Sequence, residues 1–111
     1  MNETLADLQD KLVRLHRKLR NQLAETEDPV QRQLIVSEML EVTHRVQLVG
    51  AVLFATESAE LDDKVQEISA ATKKVNQAIA QMKELQAFLD TLADFLGLVD
   101  EAIDLAKGLM I

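Results

Sequence analysis

Apolar residues recur along this chain at alternating spacings of three and four, which is the pattern of amphipathic α-helices that bury one face. The first stretch with this spacing consists of Leu5, Leu8, Leu12, Leu15 and Leu19. Asn2 or Thr4 can cap its start with a side-chain oxygen. The pattern predicts a first helix from about Glu3 to about Glu27.

The sequence Glu27-Asp28-Pro29 marks a break between two helices. Asp28 suits an N-cap and Pro29 suits the first helical position, so a second helix should run from Pro29 to about Thr56. A connection this short makes the two helices antiparallel neighbours. No polar side chain occurs from Leu48 to Ala55, and this part should therefore be buried between at least two other helices.

A weaker break follows at Thr56-Glu57-Ser58-Ala59-Glu60, where Ser58 is the preferred cap. A third helix should run from about Ala59 to about Lys107, because no proline interrupts it. Its apolar repeat shifts by one residue after Met82, where Leu85 takes the place expected for Gln86. Such a shift marks an overwound segment, a bend or a change of partner, so a bend is expected near 82–86 or at Gly97.

Helix lengths define the predicted fold. At 1.5 Å per residue the first two helices are roughly 37 and 42 Å long, whereas an unbroken third helix is roughly 72 Å long. The prediction is a single all-α domain over 1–111, an antiparallel up-down-up bundle of three long helices with coiled-coil-like seams. The C-terminal part of the third helix either overhangs this bundle or folds back as a short fourth helix.

The overhanging part carries a wide apolar stripe that cannot stay in water. Leaving eight large apolar side chains exposed forfeits of order 10 kcal/mol, which is comparable to the stability of a domain. The chain must fold back near Gly97, or a second copy or another partner must cover the stripe. The predicted interface residues are Leu85, Phe88, Leu89, Leu92, Phe95, Leu96, Val99 and Ile103.

Charge is distributed unevenly around a formal net charge of −7. One basic patch comprises Lys11, Arg14, Arg17, Lys18 and Arg20, and an acidic stripe comprises Asp90, Asp94, Glu101 and Asp104. The preferred interpretation of the basic patch is a solvated helix face. A second interpretation pairs it with the acidic stripe, between subunits or after a fold-back. Nucleic acid is the least favoured partner, because phosphate binding needs a net positive field.

Catalytic and metal-binding motifs are nearly missing from the sequence. Glu41 and His44 have the Glu-x-x-His spacing of di-iron bundles, but a second such pair is missing and the seam turns both outward. Neither a catalytic residue, a metal site nor a cofactor is therefore predicted, and the chain should not be an enzyme. Polar seam residues such as Thr72 are interpreted as setting register or oligomeric state.

These observations favour a non-enzymatic helical protein–protein interaction module that self-associates through its C-terminal helix, with an adaptor, scaffold or assembly role. The partner is then a second copy of the chain. A second hypothesis is a small acidic inhibitor, immunity or chaperone-type protein that binds a different, helical protein. A third is a membrane-active protein, which the acidic polar face of the C-terminal helix disfavours. With no secretory signal and no apolar run long enough to cross a membrane, a cytoplasmic location is expected, whereas the missing cysteine leaves the redox compartment undecided.

Overall fold

Four helices of nearly equal length make up the computed structural model, which describes residues 1–82 and 84–110. They are α1 (Glu3–Glu25), α2 (Pro29–Ala51), α3 (Ala59–Ala80) and α4 (Leu85–Lys107). Over these residues the structure contains no β-strand. The all-helical prediction is confirmed.

The first three helices begin where the sequence predicts, because a side chain caps each one. The Oδ1 atom of Asn2 accepts a hydrogen bond from the Leu5 amide at 3.1 Å. A carboxylate oxygen of Asp28 accepts one from the Val30 amide at 2.9 Å, and Pro29 occupies the first position of α2. The hydroxyl of Ser58 accepts one from the Leu61 amide at 3.1 Å. Each bond satisfies an amide that has no partner inside its helix.

The predicted third helix is two helices. The chain leaves α3 after Ala80, with the Gln81 amide still donating to the Gln77 carbonyl at 3.0 Å. The Glu84 amide then donates to the Gln81 carbonyl at 3.1 Å, and α4 begins at Leu85. The bend therefore coincides with the shift in the apolar repeat, as predicted for 82–86. The overhanging alternative is wrong, and the folded-back helix is not short but spans 23 residues.

The helices form two antiparallel pairs, α1 with α2 and α3 with α4, and α1 also packs on α3 and α2 on α4. A hydrogen bond of 2.7 Å from the Thr4 hydroxyl to the Asp62 carboxylate joins the beginnings of α1 and α3, so these neighbours run parallel. The pair Arg45–Asp100 joins α2 to α4. In this arrangement α1 and α4 lie diagonally across the bundle.

All four helices contribute to one core, and its two largest side chains, Phe88 and Phe95, both come from α4. The accessible surface is 6636 Å². A compact monomer of this mass exposes roughly 6,100 Å². The total accessible surface of the chain is therefore close to that of an ordinary monomeric domain of this mass.

At one end of the bundle the chain termini meet the α2–α3 connection. The buried Asn2 donates from its backbone amide to the Leu53 carbonyl at 2.6 Å and from its side chain to the Ala55 carbonyl at 3.1 Å. The Thr56 amide donates to the Leu109 carbonyl at 2.9 Å. Hydrogen bonds to backbone carbonyls therefore join three segments of the chain at this end.

The second helix is shorter than predicted and its end is not buried all round. It stops at Ala51, and the following turn buries Val52 and Ala55 but leaves Phe54 exposed. The prediction that residues 48–55 form a fully buried helix end is wrong in this respect. The chain must turn here to cross from α2 to α3, and a turn directs one of its side chains outward.

Gly97 lies inside α4 and does not end it, in contrast to the fold-back expected there. It is exposed, and a Cβ atom built on it meets no atom within 4 Å. We expect Gly97→Ala to raise the free energy of unfolding by about 1 kcal/mol, because alanine restricts the unfolded chain at no steric cost. Urea unfolding followed by circular dichroism measures the change.

The matched control is Gly50→Ala on α2. A Cβ atom there lies 3.2 Å from Nε2 of Gln9, which itself donates to the Val46 carbonyl. The gain in stability should be smaller at this position because the Gln9 side chain must move. A lower stability of Gly97→Ala would contradict the continuous α4.

Candidate functional site

The residues predicted as an assembly interface lie in the core of the chain. Leu85 and Leu89 are half-buried, and the other six have at most a twentieth of their surface exposed: Phe88, Leu92, Phe95, Leu96, Val99 and Ile103. Their burial removes the argument that a second copy has to cover them. Self-association through this stripe stays a prediction, and it now requires the bundle to open.

The five residues of the basic patch point to two different sides of α1. Lys11, Arg14 and Lys18 lie along the side of α1 that faces α3, where they line a cavity. Arg17 and Arg20 are exposed and do not line this cavity. The spacing of three, four and seven residues could have indicated a shared side for the first three, but only the position of α3 shows what that side faces.

The cavity between α1 and α3 has a volume of about 260 Å³. Its apolar lining is Leu15, Val75 and Phe95, all buried. Its polar lining on α3 consists of Ser69, Thr72 and Asn76. Thr72 is a polar seam residue in the sequence, and its hydroxyl donates to the Ile68 carbonyl at 3.0 Å.

The acidic stripe lies on the solvent side of α4, with Asp90, Asp94, Glu101 and Asp104 all exposed. Among the described residues, no ion pair joins this stripe to α1. Lys64 of α3 instead donates to Glu101 at 2.8 Å and to Glu67 at 3.2 Å, and these hydrogen bonds raise the pKa of Lys64. The pairing of the two patches therefore stays a prediction for contacts between chains.

Sequence reasoning missed a charged cluster between α2 and α4. The guanidinium of Arg45 donates through Nε and Nη2 to the two oxygens of Asp100, at 2.9 and 3.0 Å. It also donates to Glu41 at 2.7 Å, and only 14% of the Arg45 side chain is exposed. Partial burial lowers the pKa of Arg45, but the hydrogen bonds to Asp100 and Glu41 outweigh it and the pKa is raised. This two-bond contact joins the two helix pairs at α2 and α4.

Glu38 lies one turn before this cluster and is half-buried. Burial raises the pKa of its carboxyl, the negative charge of Glu41 raises it further, and Arg45 lowers it in part. The charged form of Glu38 is therefore less stable in the folded chain than in the unfolded chain.

The only motif with a catalytic precedent, Glu41-x-x-His44, lies on the surface. Both side chains are exposed, as the seam predicts, and Glu41 is paired with Arg45. Over the described residues there is no group of three or more His, Asp or Glu side chains placed to hold a metal ion. None of the helices described is long and apolar enough to cross a membrane.

One stripe on the surface of α2 that faces away from the bundle is made of residues without a formal charge. The exposed Arg32 and Glu41 border this helical stripe. Its eight residues, all exposed, are Val30, Gln33, Val36, Ser37, Leu40, His44, Gln47 and Ala51. We call this stripe the α2 outer face. The exposed fraction is 62% for Val30 and 66% for Leu40, and Phe54, just beyond the helix, is 76% exposed.

The four charged side chains of α2 are engaged away from this face. Arg32 donates to the Leu23 and Thr26 carbonyls at 2.6 and 2.8 Å. Arg45 and Glu41 form an ion pair, and Glu38 is half-buried beside them. In a chain with 28% charged residues, an uncharged surface along a whole helix is unusual and marks a candidate contact surface.

Comparisons with protein-family models, with curated proteins and with solved structures find no match to this chain.

We expect Glu38→Gln to stabilise the fold at pH 7, by up to about 0.5 kcal/mol, because glutamine removes the half-buried charge. At pH 7 Glu38 is charged in both the folded and the unfolded chain, so its cost is fully present. As the pH falls through the raised pKa of the folded state and below 4.5, Glu38 becomes neutral in both states and the difference disappears.

Urea unfolding of both proteins at pH 7 and near pH 4 measures this difference. The control is Glu27→Gln, an exposed side chain between α1 and α2 that should change stability little at either pH. An advantage of Glu38→Gln that persists unchanged near pH 4 would contradict the role given to the charge.

Proposed function

We propose that this chain is a non-enzymatic helical interaction module that pairs with a second copy through the α2 outer face. The observation that carries the proposal is the exposed, uncharged stripe around Leu40 on a chain of net charge −7. Two copies with the same net charge repel each other, and they meet most easily where neither presents a charged side chain.

The pattern of the α2 outer face suits a two-fold contact. Leu40 is the central residue of α2, which runs from Pro29 to Ala51. If a two-fold axis passes Leu40, the two α2 helices pack antiparallel and each Leu40 contacts its copy. Gln33 then lies opposite Gln47 of the partner, and Val30 lies near Ala51 and Phe54. The amide positions match each other and Leu40 meets Leu40, whereas Val36 lies opposite His44 of the partner.

Only one helix of each copy takes part, so the contact is small. Interfaces below about 1,200 Å² belong to weak and transient complexes, and we expect a dissociation constant of roughly micromolar order. Such a module exchanges partners readily, which suits an adaptor or assembly role.

Light scattering after size exclusion tests the proposal over a range of protein concentrations. The wild-type chain of 12.4 kDa should approach twice that mass as concentration rises. Leu40→Glu should stay monomeric, because it places two carboxylates at the two-fold axis, and central interface residues carry most of the binding energy. Circular dichroism should show an unchanged fold.

Val13→Glu is the matched control, since Val13 is an exposed apolar residue on α1. It should dimerise like the wild type. A wild-type chain that remains monomeric at about 1 mM, or a Leu40→Glu variant that still dimerises, would refute the proposal.

Cysteine cross-linking tests the antiparallel register, and the chain has no native cysteine to interfere. Gln33 and Gln47 are about four turns apart on α2, roughly 21 Å, so they cannot form a disulfide within one chain. The double variant Gln33→Cys/Gln47→Cys should give a covalent dimer under mild oxidation, whereas each single variant should not. Cross-linking of the single variants would indicate a parallel contact and contradict this arrangement.

A further inference from the structure

The cavity between α1 and α3 exists because α3 places short side chains at the seam there. Thr72 stands between Ile68 and Val75 at a position that other seams fill with leucine, isoleucine or valine, and Ser69 lies beside it. Opposite them, Leu15 does not fill the remaining space, and about 260 Å³ stays open. The cavity is partly open to solvent, so a larger residue at position 72 can occupy it.

All the charged side chains that line the cavity are positive. Lys11, Arg14 and Lys18 line it from α1, and among the described residues that line it there is no aspartate or glutamate. Arg14 forms an ion pair of 3.4 Å with Asp10, which does not line the cavity. Both partners are exposed, and pairs of this kind are weak enough to give way to a ligand. In a chain of net charge −7, three cations around a cavity favour an anion.

The interior of the cavity favours an apolar body. Leu15, Val75 and the ring of Phe95 are buried and form its deep side. The hydroxyls of Ser69 and Thr72 donate to the Val65 and Ile68 carbonyls, each at 3.0 Å. Their protons are therefore not available to a ligand. An aromatic ring gains from contact with the Phe95 ring as well as from its burial.

We propose that this cavity binds a small aromatic carboxylate, with the ring against Phe95 and the carboxylate between Lys11 and Lys18. An apolar cavity of about 150 Å³ holds benzene, so a volume of 260 Å³ suits a body of about ten carbons. The site is separate from the α2 outer face, and ligand binding does not depend on dimerisation.

The test is a titration of the full-length chain, labelled with ¹⁵N, with sodium 2-naphthoate, whose ring system has this size. The amide signals of residues 11–18 and 69–76 should shift in a saturable way. Isothermal calorimetry on the same samples gives the dissociation constant.

Two double variants separate a specific charge effect from a change in net charge. Lys11→Met/Lys18→Met should weaken the binding of 2-naphthoate about fivefold, as expected for two partly exposed charge contacts. Arg17→Met/Arg20→Met removes the same charge from the same helix outside the cavity and should leave binding within about twofold. The uncharged 2-naphthylmethanol should bind both variants equally.

Filling the cavity gives an independent readout. Thr72→Phe should abolish binding while circular dichroism shows a retained fold. The proposal is overturned if no saturable shift occurs up to about 10 mM ligand, if the shifts map to α2, or if both double variants bind alike.

Discussion

The apolar face of α4 has to be covered, and the rest of the structure depends on how the chain covers it. The turn between Ala80 and Leu85 reverses the chain and lays α4 along α3. Phe88 and Phe95 then become the largest side chains of a core that all four helices share. The Arg45–Asp100 contact joins α2 to α4 and α1 packs on α3, so the two helix pairs meet along two helix contacts.

The apolar face of α4 is buried in the core. The surfaces that remain exposed differ in charge from one helix to the next. The solvent side of α4 is acidic, α1 carries the basic patch, and the α2 outer face consists of residues without a formal charge. The proposed partners follow this division, since we propose a like-charged copy for the α2 outer face and a small anion for the cation-lined cavity.

The features that could be predicted from sequence are local. The caps at Asn2, Asp28 and Ser58 and the starts of the first three helices depend on neighbouring residues only, and the shift after Met82 marked one of the two expected positions of the bend. The length of α4 could not be derived, since the segment from Ala80 to Leu85 contains neither glycine nor proline, whereas Gly97 offered a conventional break. The candidate sites depend on which helices are neighbours. Only the parallel packing of α1 on α3 turns three spaced cations into a cavity lining, and only the packing of α2 leaves Leu40 outside.

The distance between Glu60 and Asp104 tests the reversal of α4 most directly. Both residues line one surface depression between α3 and α4. Spin labels attached to the double variant Glu60→Cys/Asp104→Cys should therefore lie within about 25 Å of each other, as measured by pulsed electron paramagnetic resonance. A continuous helix would place them roughly 66 Å apart. Dilution with unlabelled protein should leave the short distance unchanged, because both labels belong to one chain. A long distance, or a short one that disappears on dilution, would contradict the account.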